Sequence, residues 1–117
     1  GIMVPEAITA AKLLKKSNIR LCVINMPSIK PIDRNLIIRA AKVTGAIVTA
    51  EEHNIIGGLG SAVSEVLSTT VPVPMQFVGI KDCYGTSGDS NVLLQAYHLK
   101  ATDIAAAVKK AIAMKIY

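Results

Sequence analysis

Residues 49–67 read Thr-Ala-Glu-Glu-His-Asn-Ile-Ile-Gly-Gly-Leu-Gly-Ser-Ala-Val-Ser-Glu-Val-Leu. They decide the fold. The run Ala46-Ile47-Val48-Thr49-Ala50 just before and at their start is short, apolar and β-branched, as a buried strand is. Leu59, Val63, Val66 and Leu67 at their end fall on one helical face. The stretch is a strand-to-helix turn, and two acids, a histidine and three glycines crowd into it. The question is whether they do chemistry or build a turn.

Outward from it, the same alternation repeats. Pro5-Glu6 opens a helix whose Ala7, Ala10, Ala11 and Leu14 share a face, with Lys15-Lys16 at its favoured cationic end and Ser17-Asn18 as its stop. Arg20 to Met26 is an apolar run with the length of a strand buried on both faces, closed by Pro27 and Pro31. Asp33 reads as an N-cap, Ile32 and Ile37 as a hydrophobic staple, Leu36, Ile37, Ala40 and Ala41 as a buried stripe, and Gly45 as a C-terminal stop.

Beyond the turn, Val71-Pro72-Val73-Pro74 is stiff linker and Met75 to Ile80 a third strand. Asp82 to Ser90 is a polar loop, and Ser90 caps a short helix through Tyr97. Thr102 caps the last helix, with Ile104, Ala107, Val108, Ala111 and Ile112 inward and Lys109, Lys110 and Lys115 toward water. Helices alternating with short apolar strands predict a three-layer α/β/α domain on a mainly parallel sheet, one domain over residues 1–117.

Composition narrows the function. With 117 residues, 51% of them hydrophobic, the chain can bury one core. It has no apolar run of membrane-spanning length and no secretory-type leader, so it is expected to be soluble. Cys22 and Cys83 have no disulfide or metal-ligand spacing, which fits a reducing, cytoplasmic setting. The net charge of +5 comes from dispersed basic residues, with three Tyr and one Phe to stack on bases. That pattern is a solvated basic surface and predicts no nucleic-acid partner.

Each candidate chemistry has a plainer reading. The amides around Gly58, Leu59 and Gly60 could contact an anion at the positive end of a helix. The spacing fits neither a dinucleotide fingerprint nor a P-loop, and Gly57, Gly58 and Gly60 read better as glycines of a tight turn. Glu51, Glu52 and His53 stand where a strand ends, the edge on which α/β sheets present functional groups. Adjacent strand residues point to opposite faces, and His98 is far along the chain, so Glu51 and His53 are expected as polar interface or turn residues. Ser61 and Ser64 lack a nucleophile elbow. No catalytic, cofactor-binding or metal-binding residue is assigned.

The motifs taken together resemble the C-terminal domain of transketolases. Residues 49–67 are close to that family's V-E-E-H-x-x-x-G-G-L-G-S-A-V-x-E. Ile24 to Asp33 is similar to its strand and P-T-I-K-P-L-D turn, Gly79 to Gly88 to its G-I-x-D-x-F-G-x-S-G loop, and Leu99 to Ile104 to its L-T-A-x-D-I helix start. Tyr84, Thr86 and Ala50 depart from the usual Phe, Glu, and Val or Glu. Deoxyxylulose-phosphate synthases and the β subunits of 2-oxoacid dehydrogenases share the domain; His53 and Tyr84 to Gly88 look more like transketolase. A stand-alone anion-binding regulatory module is the remaining alternative.

The resemblance implies a transferase of the pentose phosphate pathway that moves two-carbon ketol units between sugar phosphates with thiamine diphosphate and Mg²⁺. The cofactor and metal would be held mainly outside this chain, by N-terminal thiamine-binding domains or a subunit. This domain would serve assembly and dimer packing in a homodimeric enzyme. It also implies a buried strand ahead of Gly1, lying between Leu21–Met26 and Ala46–Ala50.

Overall fold

The computed structural model describes residues 3–26, 30–54, 58–80 and 100–115. The expected loop 82–90, the short helix to Tyr97, and Gly57, Cys83 and His98 lie outside the described residues. Among the described residues, four helices and two strands follow in the order α1 (Met3–Lys15), α2 (Arg34–Thr44), β1 (Ile47–Asn54), α3 (Leu59–Ser68), β2 (Met75–Ile80) and α4 (Ala101–Ala113).

The strands pair in parallel, Ile47 against Met75 through Ala50 against Val78. Side chains alternate across this sheet, and each face buries a different pair of helices. Val48, Ala50 and Val78 pack with α1 and α4 around Met3, Ala10, Leu14, Ile104 and Val108. Ile47 and Met75 pack with α2 and α3 around Ile37, Ala41, Val63, Val66 and Leu67. The result is the expected α/β/α layering. Leu14 and Leu67, one in each core, are the largest fully buried side chains, and truncating either to Ala costs about 2 to 5 kcal/mol.

Local chemistry sets the helix ends. α1 begins at Met3, two residues before the expected Pro5, so that Pro5 falls in the first turn, where its missing N–H costs nothing. It stops where Asn18 adopts φ 61 and Ile19 N–H turns back to the Leu14 carbonyl at 3.0 Å. At α2, Asp33 Oδ1 accepts from Leu36 N–H at 3.1 Å, and Ile32 and Ile37 meet in one core as a staple would have them. Gly45 ends it at φ 74, ψ 5, a left-handed conformation that a Cβ would strain. Lys115 Nζ donates to the last carbonyl, Thr44 O, at 2.6 Å.

Three expectations need correction. The segment 21–26 joins no ladder: among the described residues the sheet holds only β1 and β2. Its Leu21 and Val23 are half-buried while Cys22 and Ile24 are exposed, so it is not buried on both faces. Extended apolar chain becomes a strand only with a hydrogen-bonded neighbour, and no described strand supplies one. β1 runs to Asn54, not Ala50, with a register irregularity after Ala50. Thr102 does not cap α4; Lys100 holds the cap position, with its N–H donating to Asp103 Oδ2 at 3.0 Å, while Glu6 Oε2 accepts from Ala101 N–H at 2.8 Å.

Candidate functional site

The carboxyl end of β1 and the start of α3 form the site that the sequence singles out. Alternation along β1 turns Thr49 and Glu51 toward α3. α3 then begins with Gly58 at its N-cap and no side-chain cap of its own. A helix start leaves its first amides unsatisfied, with a partial positive charge.

Glu51 answers both needs. Its Oε1 accepts from Leu59 N–H and its Oε2 from Gly60 N–H, each at 2.8 Å. The residue is 7% exposed. Buried charge is tolerated only where it is compensated, and here two charge-assisted bonds and the helix dipole supply the compensation. Each such bond contributes about 1.5 to 3 kcal/mol. Both oxygens are thus committed to backbone, and the arrangement ties the end of the strand to the first turn of the helix.

Close approach makes this reach possible. A Cβ built on Gly60 would lie 2.5 Å from Phe77 Cδ1 and 3.0 Å from Thr49 Oγ1. Real Cβ atoms do not approach so near, so only glycine lets α3 sit down on β1 and β2. Gly58 differs: its φ of −97° and ψ of −153° are extended backbone that any residue adopts. Thr49 is 5% exposed, and its hydroxyl has no hydrogen-bond partner among the described residues.

Of the residues that the sequence marks, Glu51, Gly58, Leu59 and Gly60 come together here. His53 lies in the backbone of β1; its side chain and Gly57 are outside the description. The two amides considered for an anion, Leu59 and Gly60, already donate to Glu51. Among the described residues no group of three or more His, Cys, Asp or Glu could hold a metal ion, and no helix is long and apolar enough to cross a membrane. Sequence reasoning missed Thr49 and Phe77 as neighbours of Gly60, since that contact depends on strand register and leaves no local signal.

A parallel sheet with helices on both faces and a carboxylate-clamped strand-to-helix turn defines the class: an α/β domain with its strand-end acid bound to backbone. The family model for the transketolase C-terminal domain matches residues 1–104, and the chain belongs to that family. It is similar to the 6-deoxy-6-sulfo-D-fructose transketolase subunit SqwH of Clostridium sp. (strain MSTE9), 44% identical over 104 residues covering 89% of this chain and 32% of that protein. It is similar also to the 1-deoxy-D-xylulose-5-phosphate synthase of Heliobacterium modesticaldum (strain ATCC 51547 / Ice1), 43% identical over 106 residues, 90% of this chain and 16% of that protein. Among solved structures, a split gene transketolase, inactive beta4 tetramer, superposes with a TM-score of 0.94 at 51% identity over 99% of this chain and 38% of that one. The chain therefore spans a third or less of the length of both curated relatives.

Proposed function

We propose that this chain is the C-terminal domain, or a separate C-terminal subunit, of a thiamine diphosphate-dependent transketolase that transfers two-carbon ketol units between sugar phosphates. The observation that carries the reading is the Glu51 clamp. On the edge where an α/β sheet most often presents reacting groups, the described carboxylate has both oxygens on backbone amides. That suits a domain whose work is to hold its shape and dock. Two relatives are named as subunits of transketolases, the sulfofructose enzyme above and the apulose-4-phosphate transketolase of Phocaeicola vulgatus (strain ATCC 8482), and they support a role alongside a second polypeptide region.

Thiamine diphosphate supplies the carbanion chemistry when bound. The described residues do not fit it: the α3 amides that could receive a diphosphate are taken, and no described acid cluster suits Mg²⁺. The cofactor and metal would then be held by N-terminal thiamine-binding domains or a partner subunit, in a homodimer of the complete enzyme. As such an enzyme it would work in the cytoplasm, in the pentose phosphate pathway, and the exposed free thiol of Cys22 is compatible with a reducing compartment.

The test is a reconstitution assay. This chain with thiamine diphosphate and Mg²⁺ is expected to show no ketol transfer, and adding the thiamine-binding region is expected to give activity. Turnover by this chain alone would overturn the assignment. Activity of the assembled pair with pyruvate and glyceraldehyde 3-phosphate, but not with ketose donors, would favour the synthase reading instead.

A further inference from the structure

Apart from the Glu51 turn, the described surface carries an open cleft of about 610 Å³ between the lead-in to α2 and the face of α3. That volume is within the range of small-molecule sites, roughly 300 to 1,000 Å³. Its two walls differ in chemistry. Ile32 on one side and Ala62 and Val66 on the other are apolar, while Lys30 and Arg34 bring two cations to the rim.

Neither cation is engaged by another described residue. Among the described residues, the Lys30 ammonium and the Arg34 guanidinium have no hydrogen-bond or ion-pair partner. Glu65 lines the same cleft, and no ion pair joins it to either cation among the described residues. A concave, partly apolar wall focuses the field of charges at its rim. The geometry adds to this, since Arg34 is the first residue of α2 and Gly58 is the N-cap of α3, so both positive helix ends open on the cleft. The capping amides themselves are engaged, Leu36 by Asp33 and Leu59 and Gly60 by Glu51. Recognition of an anion therefore falls to the two side chains.

The geometry points to a binding site for a small organic phosphate in this cleft. The planar fork of Arg34 suits two phosphate oxygens, Lys30 supplies a mobile point charge, and the Ile32, Ala62 and Val66 wall takes the non-phosphate body. The assembly used in its test rests on the proposed function, whereas the binding itself is read from Lys30, Arg34 and the cleft wall.

Phenyl phosphate and inorganic phosphate serve as probes, titrated calorimetrically at constant ionic strength into the complete protein assembled with its thiamine-binding region. Saturable binding of one phenyl phosphate per chain is expected, tighter than that of inorganic phosphate. K30Q/R34Q should weaken it about tenfold or more, Glu65→Gln should tighten it by removing a like charge, and Lys109→Gln on exposed α4 should change nothing, with ketol transfer retained in all three. No saturable binding would overturn the proposal. So would binding indifferent to both the double variant and Glu65→Gln, which would place the phosphate elsewhere. A cleft filled by the partner region in the assembly would show as the first of these failures.

Discussion

The starts of α2 and α3 solve one physical problem in two ways. Each must satisfy amides at the positive end of a helix. α2 uses Asp33, its own N-cap, three residues from the amide it accepts. α3 has glycine at that position and takes its acceptor from Glu51, eight and nine residues back, on the strand beneath it. The first device stabilises a helix; the second also fixes that helix to the sheet. Capping from a distance is a tertiary contact, and its loss should be felt by the whole layer.

The largest effect is expected at Glu51. Glu51→Ala removes both acceptors and leaves two amides in a buried setting, so unfolding free energy by denaturant titration should fall by about 3 kcal/mol or more. A fall no larger than that of a surface residue would break the contrast between the two helices. Next comes Gly60→Ala, where the new methyl collides with Phe77; a loss of about 1 to 3 kcal/mol is expected from overpacking. Pairing it with Phe77→Leu should recover part of that loss, and absence of any coupling in the double-mutant cycle would show that the close approach is not the cause.

Asp33→Ala removes only a local cap and should cost about 1 kcal/mol. Gly58→Ala should cost least, about 0.5 kcal/mol, because its backbone is extended and its role is that of an N-cap without a side chain. If Gly58→Ala proves as damaging as Gly60→Ala, the sharp distinction drawn between the two glycines fails.

What could be read in advance follows the same division. Asp33, the Ile32 and Ile37 staple, Gly45 and the helical stripes of α2 and α3 act within a few residues, and the sequence carried them openly. The parallel pairing of β1 with β2 followed from apolar runs separated by a helix. The segment 21–26 misled because an apolar run reports only a tendency toward burial, whereas a strand needs a partner to bond with, and among the described residues none pairs with it. Thr102 misled because a good capping residue lost to contacts from elsewhere, Glu6 among them, 95 positions away. At the turn, the residue types were legible but their roles were not. Whether Glu51 faces solvent, a ligand or the α3 amides depends on the strand continuing to Asn54 and on Gly60 letting the helix approach.

Amide hydrogen exchange at Leu59 and Gly60 tests the central claim, that the strand-end carboxylate is a backbone clamp. Both amides should be protected in the wild-type chain and exchange at least about tenfold faster in Glu51→Ala. Equal exchange at Leu59 and Gly60 in the two proteins would mean that Glu51 does not hold the helix, and the account of this turn would be contradicted.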